Sequence, residues 1–232
     1  MRRYKKIVKK TYIISIKMVI CLENLAIGCY RDKSSDRGRK LREGARGRSM
    51  WIIRRTREKE LDEVMCIYSR AVSFMAESGN PYQWTGGYPG RALIAKDIGR
   101  GVSYVIEVET RIAAVFSYTE GEDVTYREIT DGEWLTDGTY GTVHRLASRE
   151  SGGGMAKLCF DWCFAQAKNN GIGSLRVDTH RDNQIMRHLL EKNGFWRCGI
   201  IHLADGAARI AYERVALEDY RNSFLVKPQA LC

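Results

Sequence analysis

The chain has 232 residues, 44% of them hydrophobic and only 3 of them Pro. That composition fits one globular domain with an appendage and excludes wholly disordered, collagen-like and polytopic membrane proteins. A formal charge of +10 suggests a polyanionic partner, but the charge is not spread evenly. Residues 1–50 hold 15 Lys+Arg against 4 Asp+Glu, whereas residues 51–232 hold 23 against 24, a net of −1. No nucleic-acid partner is therefore expected for the main domain, and any salt-sensitive binding would belong to the basic arm.

Within that arm, Thr11 to Tyr30 is apolar but interrupted by Lys17, Glu23 and Asn24. It falls short of the roughly 20 apolar residues that a spanning helix needs, so no transmembrane segment is expected. The basic start imitates a signal peptide, yet no clean small-residue cleavage site follows. Residues 31–49 are rich in Arg, Gly and Ser and read as a flexible linker. Residues 1–50 are thus read as a basic N-terminal extension, 51–217 as the domain and 218–232 as a tail. Met50, directly before the strand-like WIIRRT, fits equally well as a biological start, and both readings stand. Seven cysteines, an odd number with no Cys-x-x-Cys pair, predict a reduced, metal-free and cytoplasmic protein, with Cys159 and Cys163 as small core residues.

In chain order, WIIRRT predicts a strand, and Thr56 followed by Glu58, Glu60 and Asp62 predicts an N-cap with acids in the first turn. Leu61, Val64, Met65, Tyr68 and Val72 recur at helical spacing until Gly79-Asn80-Pro81. After an aromatic loop, a short helix surrounds Leu93, Ile94 and Ile98, and Val102 to Val108 with Ile112 to Tyr118 form a hairpin. An acidic stretch, residues 120–137, offers attraction for a cation or a solvated loop. Then follow a strand at Tyr140 to Ala147, a helix at Gly154 to Asn169, a strand at Ser174 to Thr179, a helix at Asn183 to Lys192, and closing strands at Phe195 to His202 and Arg209 to Val215. The order β-α-α-β-β-β-α-β-α-β-β predicts an α/β, mixed α+β sheet flanked by helices.

Where the Tyr140 strand leads through Ser151-Gly152-Gly153-Gly154 into Met155-Ala156, three glycines before a helix let the backbone crowd an anion, with first-turn N–H groups and the helix dipole attracting it. Neither dinucleotide nor nucleotide-triphosphate fingerprints are present. Together with GIGSLRVDTHRDNQIMRHLLEKNGF and the element order, this junction resembles the GNAT superfamily of acyl-CoA-dependent N-acetyltransferases over about Trp51 to Val215. The resemblance implies a GNAT-like fold and acetyl-CoA as cosubstrate. It places the pyrophosphate at Ser151, Gly152, Gly153, Gly154, Met155 and Ala156, the pantetheine arm along Leu146, Ala147 and Ser148, and Asn183 facing the cofactor. Ser151 departs from the family's Gln or Arg, and a frame beginning at Arg149 is the alternative. Leu190 stands where the family often has a Tyr that protonates the leaving thiolate, with Tyr212 as a conceivable substitute.

The acceptor implied is a primary amine of a small molecule or peptide, which must lose a proton before it attacks. His144 and His180 are the candidate bases, because imidazole titrates in the useful range. Gln83, Trp84 and Tyr88 in the aromatic loop are the candidate acceptor-binding residues, and a homodimer is compatible with the reading. The mismatch at Leu190 motivates an alternative: a catalytically idle acyl-CoA-binding sensor or interaction domain.

Overall fold

In a computed structural model the described residues are 26–30 and 49–216. Seven strands come from the predicted domain: β2 (Ser49–Arg55), β3 (Ser103–Val108), β4 (Arg111–Glu120), β5 (Tyr140–Ser148), β6 (Ser174–Thr179), β7 (Trp196–His202) and β8 (Ala208–Val215). An eighth, β1 (Ala26–Tyr30), comes from the segment read as extension and pairs antiparallel with β2, Gly28 opposite Trp51. The sheet thus begins before the boundary expected near residue 50. The rest of the arm and linker, and the tail, lie outside the described residues.

Strand order is β1-β2-β3-β4-β5-β6-β8-β7, and every adjacent pair is antiparallel except β5 with β6. That parallel pair is short. Tyr140, Gly141 and Thr142 lie opposite Ser174, Leu175 and Arg176, and the pairing stops there. From Val143 onward β5 keeps only β4 as a neighbour, while β6 continues beside β8.

Helices α1 (Leu61–Glu77) and α2 (Arg91–Gly99) cover one face. Val64, Ile67 and Tyr68, the inward stripe of α1, pack with Ile94 and Ile98 against Val105, Ile112, Val115 and Ala147. The other face carries α3 (Met155–Asn169) and α4 (Gln184–Lys192). There Cys159, Phe160, Trp162 and Cys163 join Tyr104, Phe116, Val177 and Leu190 in the largest core cluster. Both cysteines are fully buried, as their spacing predicts. Among the described residues no helix is long and apolar enough to cross a membrane.

Two expectations change. Thr56 is not a helix cap: its hydroxyl is buried against Ser103 Oγ at 2.8 Å and its N–H donates to the Ser103 carbonyl. The hydroxyl is used to tie the end of β2 to β3, so the helical turn starts later, where the Glu60 carboxylate accepts from Arg57 N–H. The acidic stretch is not merely a solvated loop. Tyr126 and Trp134 pack with Tyr140, Ile201 and Ala211, and the loop is pinned through an internal ion pair. Glu213, fully buried, accepts from Leu135 N–H, Thr136 Oγ, Ser174 Oγ and, at 3.3 Å, Arg176 Nε. The Arg176 guanidinium is sandwiched between the rings of Trp134 and Tyr140 at 4.0 and 3.9 Å, a cation–π arrangement.

Removing one member of this pair leaves an uncompensated buried charge. Glu213→Ala is expected to cost about 3–5 kcal/mol in urea unfolding, whereas a double replacement of Arg176 and Glu213 by apolar residues of similar volume costs much less.

Candidate functional site

Where β5 leaves β6, the sheet opens into a cleft of about 1110 Å³. A bulge helps to open it. Ser117 lies opposite His144 but Val115 lies opposite Ala147, so β5 carries one extra residue across the break. Arg145 sits there with φ of 54°, a left-handed conformation that is costly for a side chain of this kind. Its guanidinium holds the kink in place, donating to Asp97 Oδ2 of α2 at 2.6 Å and to the Tyr88 hydroxyl at 3.3 Å, while Ser117 Oγ donates to the same Asp97 oxygen at 2.9 Å.

Beyond the bulge, Leu146, Ala147 and Ser148 line the cleft together with Ser151, Met155, Ala156 and Asn183. The β5 edge facing β6 has no strand partner here, so its N–H and C=O groups are free to pair with an extended ligand. Gly152 and Gly154 have φ of 101° and 71°. Gly154 is the N-cap of α3 and gives the helix no side-chain cap, while Gly152, Gly153 and Gly154 themselves are not among the residues that line the cleft. A Cβ built on Gly152 meets nothing within 4 Å; glycine is required by the backbone angle, and open space remains above it. First-turn N–H groups without a side-chain cap fit a diphosphate. The α4 terminus contrasts with this, because Asn183 Oδ1 accepts from Met186 N–H.

Asn183 spends its other amide end on Gln83 Oε1, at 2.7 Å, and that oxygen also accepts from Asn80 Nδ2 at 2.8 Å. Two sequence candidates therefore meet each other, tying the aromatic loop to α4. Trp84 packs edge-on against Tyr68 and Tyr88, at 5.8 and 6.1 Å between ring centres, which anchors that loop to the α1 core. All three loop candidates, Gln83, Trp84 and Tyr88, line the cleft.

The two histidines separate. His144 lines the cleft, with Nε2 at 3.0 Å from Asp123 Oδ2 and Nδ1 at 4.0 Å from Asp178 Oδ1. His180 is not among the lining residues; its Nδ1 accepts Asp182 N–H at 3.3 Å within a turn, and burial, then Arg209, lowers its pKa. Leu190 is fully buried in the core, and the Tyr212 hydroxyl lies 3.4 Å from Glu191 on α4, outside the cleft lining.

Sequence reading missed Asp123 and Asp178 as individuals. Asp123 was one acid in a run, and Asp178 sat unremarked in LRVDTH; only the strand splay brings both to one imidazole. The hydrogen bond with His144 is the largest cause holding the Asp123 carboxyl down at about 2, outweighing the opposite effect of burial. Because its folded pKa is depressed, Asp123 contributes stability that is present above 3.8, its ordinary value, and is lost as pH falls through about 2. Thermal unfolding of the wild type should weaken across this window, and Asp123→Asn should flatten that part of the profile.

Among the described residues no group of His, Cys, Asp and Glu could hold a metal. No family model matches the sequence, and no curated protein does. Solved structures do. An acetyltransferase of the GNAT family from Streptococcus agalactiae is 29% identical, over 72% of this chain and 95% of its own, with a TM-score of 0.61. The PaiA N-acetyltransferase from Thermoplasma acidophilum, solved in complex with coenzyme A, is 12% identical over 72% of this chain and 99% of its own, with a TM-score of 0.54. A Salmonella typhimurium acetyltransferase, described as modifying the N-terminal serine of a 50S ribosomal subunit protein, is 16% identical over 72% and 95%, with a TM-score of 0.51. The last two show the fold alone. With the streptococcal protein matched almost end to end and the parallel strands parting after Thr142 and Arg176, the chain has the fold of the GNAT-family acetyltransferases.

Proposed function

We propose that the protein is an N-acetyltransferase that moves an acetyl group from acetyl-CoA to a primary amine of a small molecule or peptide by direct attack. The observation that carries this is the wedge between β5 and β6, which ends on the uncapped, glycine-led N-terminus of α3. Gly152 to Ala156 would hold the diphosphate through backbone N–H groups, and Leu146 to Ser148 would pair with the pantetheine arm. Acetyl-CoA supplies an acyl group activated as a thioester. A β5 backbone N–H facing the wedge would receive the charge that develops on the carbonyl oxygen.

The amine arrives from the side of the aromatic loop, lined by Gln83, Trp84 and Tyr88. An alkylammonium with a pKa near 10.4 is mostly protonated at neutral pH, and in this reading His144 takes its proton. The amine lone pair then forms the C–N bond as the C–S bond breaks. The departing thiolate takes a proton from water or from the imidazolium, since neither Leu190 nor Tyr212 offers one in the cleft. His180 does not line the cleft, which leaves His144 as the base in this reading.

Leu190 also favours a second reading, a domain that binds acyl-CoA without turning it over. Free CoA released steadily with any amine of a panel dismisses it; tight CoA binding with no release across the panel supports it. For the site itself, Gly154→Val puts a β-branched residue at φ of 71° and a side chain in the diphosphate approach. CoA affinity should fall by roughly 10-fold or more through the combined strain and obstruction, and unchanged affinity in a folded variant would remove the diphosphate from this turn. His144→Ala should lower turnover more at neutral than at high pH, where the amine deprotonates without help; a ratio that is flat with pH counts against His144 as base.

A further inference from the structure

Asp123 is unusually well fixed for a residue in an acidic surface run. Its N–H donates to the Tyr140 hydroxyl at 2.9 Å, and its Oδ1 accepts Thr125 N–H at 2.9 Å, which closes the helical turn at Val124–Tyr126. Both constraints aim the remaining oxygen, Oδ2, at His144 Nε2, 3.0 Å away. An ionised carboxylate only accepts hydrogen bonds, so this contact needs a hydrogen on Nε2. A neutral imidazole holding its hydrogen there has a bare Nδ1.

That second nitrogen looks across the splay. Its nearest ionisable neighbour, Asp178 Oδ1 on β6, is 4.0 Å away, beyond hydrogen-bond reach, and already accepts the Tyr126 hydroxyl at 2.7 Å. Arg209 of β8 lies 4.0 Å from the other Asp178 oxygen, and the Tyr126 ring flanks the imidazole at 5.9 Å between centres. Asp123 and Asp178 are the carboxylates within 4.0 Å of the His144 ring nitrogens among the described residues, with the Tyr126 ring beside them and the Tyr140 hydroxyl behind Asp123. Only Asp123 is bonded to it.

We propose that Asp123 is the positioning residue for His144: it fixes the Nε2–H tautomer and so makes Nδ1 the proton-accepting atom of the cleft. The consequence for turnover rests on His144 acting as the base, as proposed above. The proton leaves the amine nitrogen for Nδ1, and the resulting imidazolium keeps its Nε2–H bonded to a carboxylate that stays ionised. Asp178, across the gap, faces the new Nδ1–H and adds a second negative neighbour to the charged form.

Asp123→Asn tests this with little change in shape. The oxygen of Asn remains on Thr125 N–H, which places its NH₂ where Oδ2 was and presents Nε2 with a donor. The imidazole should then invert to the Nδ1–H tautomer. With only four histidines in the chain, ring ¹⁵N shifts can be assigned by the loss of one set in His144→Gln. The wild type should show Nε2–H, Asp123→Asn should show Nδ1–H, and Asp178→Asn should keep the wild-type tautomer. In the same variant kcat/KM for the amine should fall roughly 10- to 100-fold, toward the smaller part of what a positioned general base contributes, with KM for acetyl-CoA unchanged. Nδ1–H in the wild type, or Nε2–H retained in Asp123→Asn, overturns the proposal even if activity falls, because the loss would then be structural. If the wild type acetylates no amine, the function proposed above fails, while the tautomers still decide the role of Asp123.

Discussion

The site depends on a pairing that is abandoned. Among the described residues β5 and β6 are the only parallel neighbours in the sheet, and they hold register for three residues before separating. Ordinarily an unpaired row of backbone groups inside a sheet is costly, since each buried N–H or C=O without a partner loses its solvation. Here the row faces a cleft, where a ligand strand can satisfy it. The same divergence points the end of β5 toward the glycine turn and leaves room between the strands for a thioester.

Holding that opening requires the sheet to be fastened on both sides of it. On the near side, the Arg145 bulge is clamped to Asp97 and Tyr88, so α2 and the aromatic loop support the kink. On the far side, Glu213 and Arg176 bind β6 and β8 to the loop that carries Trp134 and Thr136. Both fastenings are charged and largely buried, so removing one partner of either would leave the other unpaired inside the protein. A thoroughly apolar core would pack as tightly without specifying where the strands part.

Electrostatics in the cleft follow from the same geometry. His144 lies between an ionised Asp123 on one side and Asp178 on the other, with the tyrosine hydroxyl of Tyr126 occupying one Asp178 oxygen. The imidazole therefore has a carboxylate near each of its two ring nitrogens, bonded at 3.0 Å on the Nε2 side and 4.0 Å away on the Nδ1 side. Gln83 is bonded to Asn183, which caps α4, so the aromatic loop and that helix share one hydrogen-bond bridge.

Much of this architecture is legible in the residue order. Helical spacing from Leu61 to Tyr68, alternation in the hairpin, and Gly-Gly-Gly before Met155 report local preferences of the backbone, which act over a few residues and therefore survive without knowledge of the fold. The cleft linings at Leu146 to Ser148 and at Gln83, Trp84 and Tyr88 were reachable because the resemblance supplied the topology. Thr56 misled because a hydroxyl suited to a cap was claimed by Ser103, 47 residues away. Asp123, Asp178 and the Arg145 clamp were not legible, because their meaning lies in partners from other elements: a carboxylate in an acidic run has the same sequence signature whether it faces water or an imidazole. The sequence by itself determined the elements, their order and the glycine turn before α3; the tertiary structure decided which histidine faces the cleft and what surrounds it, since electrostatic contacts between distant residues exist only after the chain has closed on itself.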